Sequence, residues 1–453
     1  MFIRSKRVFL DGKLKPACIS VHSGHIGEIH SYTYMASQAL DAGNWLILPG
    51  AVDVHTHMRE PEAPHKEDFF SGSSAALCGG VTSYLDMPCY NSPATTTVGA
   101  LTEKERAAGA KSVADFGFHL GASNENADLI RRLQPPSVKA FLSDTGSPLS
   151  LTPSGFERIC SGLDATKPLC VHCEDRGLTE KRAAKYDKHE EIRSIEVAVA
   201  GVKSASALAK KYHRRMHFCH LTTAAEVKLA KAGAGFMPTF DKKKKGLPLH
   251  TVEVTPHHLF LSTADLERLK GWGNCNPPLR DRKEVAKLWR MLKQVDMVAS
   301  DHAPHLPADK ETGAPGFPGV QTMVPLLLHA VVGGKLKLEE AVRLFASGPA
   351  SAFTMQTKGR IAPGYDADFI VFNPQDHWTV NINDLRSKAG WSPYEGWRLR
   401  GKLMGVVLRG EQAVWDNELL VRPGFGKPIQ RAPMIGTERL DLRKHAKERY
   451  SLQ

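Results

Sequence analysis

The sequence predicts an α/β fold, a (β/α)8 TIM-like barrel carrying a small β-sandwich domain built from both chain ends. Three observations lead there. Short apolar strands alternate with helical stretches through the middle of the chain, without an internal sequence repeat. Repeated βα units of this kind imply a parallel sheet, and roughly eight of them imply closure into a barrel. Both ends of the chain carry a different texture, short strands parted by turn residues.

In chain order, the first strands read as Val8-Phe9-Leu10, Ala17 to His22, Ile26 to Ile29 and Trp45 to Leu48, with Asp11-Gly12 and Ser23-Gly24 as turns. SYLDMP, SVKAFL, LCVHCE, MHFCHL, TVEVTP and DMVASD then supply barrel strands, and SIEVAVAGVKSASALAKKYH and KEVAKLWRMLKQ are helical. Past Gly359 the strand texture returns in DADFIVFNP, KLMGVVLRG and EQAVWD. The expected division is a small β-domain of residues 1–50 and 356–425, a barrel of 51–355, and a basic tail of 426–453.

With 453 residues, 42% hydrophobic and 24% charged, the chain can bury a large core. That excludes a disordered chain or a disulfide scaffold. No apolar run approaches the roughly 18 residues of a membrane span. MFIRSKRVFLDGKL lacks the apolar core of a signal peptide, so a cytoplasmic location is the default expectation. The net charge is +12, but the bases are scattered apart from Lys242 to Lys245 and Arg431 to Arg449. Such runs read as solvated loops, so a small anionic substrate is expected, with no nucleic acid and no membrane partner. The eight cysteines are expected to be thiols. Cys170-x-x-Cys173 has no second pair to close a zinc site and reads as packing.

His55 and His57 stand two apart on a strand, so both rings face the same way. Two imidazoles at a strand end can grip one metal ion. Lys139, His172, His220 and Asp301 mark later strands, and catalytic residues of a parallel barrel collect at the C-terminal strand ends. Any one of these could be a satisfied core residue. Together they point to a metal site.

LPGAVDVHTHMREP, the strand Lys139, VHCE, FCHL, VTPHHLFLS, NPPLR and SDHAPH resemble the dihydroorotases, in the cyclic-amidase branch of the amidohydrolase superfamily. So do GRIAPGYDADFIVFNP, WSPYEG and GFPGVQTMVPLLL, which extend the resemblance over nearly the whole chain. The resemblance implies reversible, zinc-dependent interconversion of N-carbamoyl-L-aspartate and dihydroorotate in pyrimidine synthesis. It implies two zinc ions per chain, the first held by His55, His57 and Asp301 and the second by His172 and His220. Lys139 would bridge them as a carbamate formed with CO2, with Asp144 the reserve bridge. A hydroxide between the ions would attack the ring carbonyl, and Asp301 would shuttle the proton. Arg59, His305 and Asn276 would bind substrate, whereas Arg280 reads equally as structural. Cys219 and Glu253 match positions of an extra zinc in animal enzymes but also suit packing.

Two departures bear on the substrate. The family's MPN reads Met87-Pro88-Cys89 here, with Asn91 following, so Cys89 and Asn91 are both candidate substrate contacts. Thr145 matches a substrate-capping threonine, but Gly146 replaces its aromatic neighbour. The rivals are a sister amidase (allantoinase or dihydropyrimidinase) and a metal-free scaffold of the same fold. A homodimer is the candidate assembly.

Overall fold

The computed structural model describes residues 1–35, 38–89, 94–143, 149–237 and 246–430. Eight parallel strands form the barrel: Ala51–Thr56, Val81–Asp86, Asp115–Phe118 continuing into Leu120–Gly121, Val138–Phe141, Leu169–His172, Met216–Phe218, His250–Val254 and Met297–Val298. Each pairs with the next in that order. The ring closes where Thr56 bridges His302 and the His57 N–H donates to the His302 carbonyl at 2.8 Å. Most of these strands are buried along their whole length, which is why they read as continuous apolar runs. The third strand is the least visible in sequence, because Asp115 and Gly117 interrupt it.

Helices cover the barrel, and their starts follow local chemistry. Asp68, Thr97, Thr152, Asp175, Thr223 and Asp281 each accept a backbone N–H at the first turn of the helix that follows.

The two chain ends meet in one continuous nine-stranded sheet. Leu46–Pro49 lies between Phe2–Leu10, which it pairs in parallel, and Phe369–Thr379, which it pairs antiparallel. Gly50 alone separates Leu46–Pro49 from the first barrel strand. A side chain there would start 2.3 Å from Thr82 Oγ1, so the hand-over between sheet and barrel requires glycine. Lys358 locks the same junction. Its ammonium lies 2.6–2.8 Å from Asp115 of the barrel and from Asp366 and Asp368 at the sheet.

Residues 426–429 are not a free tail. The Gly426 N–H donates to the Ser112 carbonyl and the Ile429 N–H to that of Phe116, both at 2.8 Å, which lays this stretch along the third barrel strand. Residues 431–453, and the lysine run at 242–245, lie outside the described residues. Among the described residues, no helix is long and apolar enough to cross a membrane.

Candidate active site

The C-terminal strand ends of the barrel open into a cavity of about 500 Å3, with His55, His57, Lys139, His172, His220 and Asp301 on its wall. Local geometry delivers each of them. His172 is the last residue of its strand, and His57 and His220 follow just beyond theirs. His220 and Asp301 take left-handed backbone angles, φ +36° and +45°, which turn them off the strand direction. Non-glycine residues rarely adopt such angles, and they gather where function holds them.

The donors converge: ligand atoms of His55, His220 and Asp301 all lie within 4.8 Å of one another. His55 Nε2 and His57 Nε2 lie 3.2 and 3.3 Å from the same Asp301 Oδ1. His172 Nδ1 and His220 Nε2 face each other at 3.0 Å. Behind them stand buried carboxylates. Glu174 Oε2 lies 2.7 Å from His172 Nε2, so that nitrogen carries a proton and Nδ1 presents its lone pair inward. Glu253 bridges His55 Nδ1 at 2.8 Å and His217 Nε2 at 3.0 Å. The Lys139 ammonium, wholly buried, donates to Cys219 Sγ at 3.2 Å.

Charge states show what the group is built to hold. Burial drives His57 down to about 3 and takes His220 well below the usual range, so both are neutral donors. Burial also opposes a charge on His55, but the Glu253 and Asp301 carboxylates outweigh it and raise His55 to about 10. Burial likewise opposes the Asp301 charge, yet His55 and His57 hold its carboxyl well below the carboxylate range. Burial would raise the Cys219 thiol, but the Lys139 charge prevails and lowers it to about 6. The site therefore retains positive charge where its carboxylates converge, on His55. Neutral imidazoles and carboxylates around a point that demands a cation fit a divalent metal centre.

Arg59 and His305 lie on the wall of the same cavity. Arg59 has left the strand at φ +60°; its Nε donates to the Pro304 carbonyl at 3.2 Å and its Nη2 lies 3.1 Å from His305 Nε2. Burial, with Arg59 adding to it, pushes His305 down to about 2, so it is neutral there. Asn276 also lines the cavity, and its buried Oδ1 finds no partner among the described residues.

Cys89 lies beside this cavity, in a recess that shares His57, Arg59 and Glu62 with it. Its thiol points to the Glu60 carbonyl at 3.6 Å, in a narrow recess shared with Arg59, Asp86 and Lys104. Arg280 is buried, donating to Thr222 Oγ1 at 3.0 Å and the Arg193 carbonyl at 2.7 Å. Asn91, Asp144 and Thr145 lie outside the described residues. All eight cysteines are buried thiols. Cys170 Sγ lies 3.7 Å from His119 Nδ1, whereas the Cys173 thiol faces the Val171 carbonyl at 3.6 Å.

The residues that sequence reasoning did not single out are Glu174, Arg193, His217, Asp86 and Lys104. Arg193 pairs with Glu174. Glu174 stands two residues after His172, and His217 three before His220. A charged or polar side chain beside a ligand at a buried strand end is the signal that could have found them.

The sequence profile described as the amidohydrolase family matches residues 46–411. The dihydroorotase of Methanosarcina acetivorans is 34% identical over 450 residues, covering 94% of this chain and 95% of the relative. That of Pyrococcus abyssi is 37% identical over 383 residues, covering 83% and 86%. Among solved structures, the L-hydantoinase (dihydropyrimidinase) of Arthrobacter aurescens superposes with a TM-score of 0.87 at 26% identity, covering 95% of this chain and all of that one.

Proposed function

The chain belongs to the amidohydrolase family, and we propose that it is a metal-dependent dihydroorotase, interconverting N-carbamoyl-L-aspartate and (S)-dihydroorotate in pyrimidine synthesis. The observation that carries this is a cation, Arg59, on the wall of the cavity that also holds the histidine–aspartate cluster. A ring that bears a carboxylate needs both.

The residues to hold two zinc ions are His55, His57 and Asp301 for one, and His172 and His220 for the other. A free ammonium has no lone pair to offer a metal. Lys139 would join them as a carbamate formed with CO2, one negative charge shared over two oxygens, and its complete burial among the donors favours it over Asp144. When bound, such ions lower the pKa of water and polarise a carbonyl.

The protein's own groups do the rest. Arg59 receives the substrate carboxylate in a charge-assisted bond, with neutral His305 beside it. Asn276 offers its amide to the ring's polar edge. Asp301, ionised at rest, takes a proton from the attacking water and delivers it to the ring nitrogen as the C–N bond breaks. Ring closure runs the same path backward from a protonated Asp301. Opening the ring creates a second carboxylate and releases a proton, so falling pH favours closure.

A sister cyclic amidase is the second reading, favoured by Cys89 in place of the family's asparagine and by the hydantoinase fold match. Loss of dihydroorotate absorbance, run beside allantoin and dihydrouracil on one sample, separates the two. Turnover of dihydroorotate alone supports the proposal. Turnover of only an uncharged ring overturns it.

A further inference from the structure

The helix Val98–Lys111 buries only Lys104 and Ala108, and Lys104 on its inner face is 1% exposed. Its ammonium lies 2.6 Å from Asp86 Oδ2, donates to the Met87 carbonyl at 2.6 Å, and sits 5.6 Å from the centre of the Phe118 ring. Asp86 ends the second barrel strand and is equally buried. Its other oxygen, Oδ1, accepts the Met58 backbone N–H at 2.7 Å and the Thr56 hydroxyl at 3.2 Å. Met58 stands between His57 and Arg59, and the next residue is the one held at φ +60°.

A left-handed arginine persists only where its surroundings over-determine it. His57 has a separate backbone anchor on His302 and a side-chain contact with Asp301. The Met58 amide has Asp86 Oδ1, and Lys104 holds the same carboxylate from its other oxygen. We infer that the buried Lys104–Asp86 pair positions Arg59 for substrate carboxylate recognition, with the Met58 amide as the link. Lys104 is thus a positioning residue for substrate affinity. This rests on the dihydroorotase reading.

The test is a double-mutant cycle on KM with metal content measured on every sample. Lys104→Met alone leaves a buried carboxylate uncompensated, which can cost the fold. The pair variant Lys104→Met with Asp86→Asn removes both charges and avoids that. It is expected to raise KM for dihydroorotate about tenfold, the lower end of outer-shell effects, with kcat, metal content and melting temperature close to native. Added to Arg59→Met, it should raise KM no further, because both changes remove one interaction. An unchanged KM, an additive effect, loss of metal in parallel, or loss of folded protein in the pair variant overturns the inference. If Arg59→Met itself leaves KM for dihydroorotate unchanged, the functional reading fails, and the inference with it.

Discussion

The floor and the rim of the cavity are built differently. Floor residues sit on or just past barrel strands and are braced by buried carboxylates, Glu253 behind His55 and Glu174 behind His172. Rim residues sit on loops: Arg59 past a strand in a strained turn, Asn276 and His305 on connecting segments. Strands fix donors for chemistry that every relative must perform, whereas loops vary with the substrate. In this chain one departure from the family pattern, Cys89, lies in the recess beside Arg59 on the rim; the other, Gly146, lies outside the described residues.

That contrast predicts unequal consequences. The largest belongs to the floor. Lys139→Ala is expected to cut turnover by about a thousandfold, on the scale of losing a principal electrostatic element of catalysis, and to lower metal content, with a small added carboxylic acid partly restoring the rate. A fully active variant would place the bridge elsewhere. Next comes the bracing layer. Glu253→Gln weakens the hold on His55 and should lower metal affinity by about 10–100-fold, read as an earlier midpoint in a chelator titration.

On the rim, the effects move to substrate affinity. Arg59→Met should raise KM by about ten- to a hundredfold, equivalent to about 1.5–3 kcal/mol for a charge-assisted bond, while metal content stays native. Cys89→Ala is the smallest. A thiol is a weak donor and this one faces Glu60, so KM should stay within about twofold of native. A large shift there would show that the recess beside Arg59 receives substrate.

The same contrast sets what the sequence disclosed. The barrel strands are buried on both faces, and a histidine or lysine inside an apolar run such as VKAFL or LCVHCE stands out against its neighbours. The pairing of both chain ends followed from matching turn-and-strand texture. Direction on loops did not follow. Cys89 aligns with a substrate contact, yet the chain turns its thiol toward Glu60, a consequence of backbone geometry that a one-dimensional pattern does not encode. Lys104 was hidden for a related reason: within the charged run Glu103-Lys104-Glu105-Arg106 a lysine reads as solvated, and only packing shows it buried against Asp86.

Metal content measured beside activity tests the floor most directly. Purified native protein should hold about two zinc ions per chain, lose turnover of dihydroorotate when a chelator removes them, and recover it on re-addition. Full activity in protein shown to hold no metal would contradict the account.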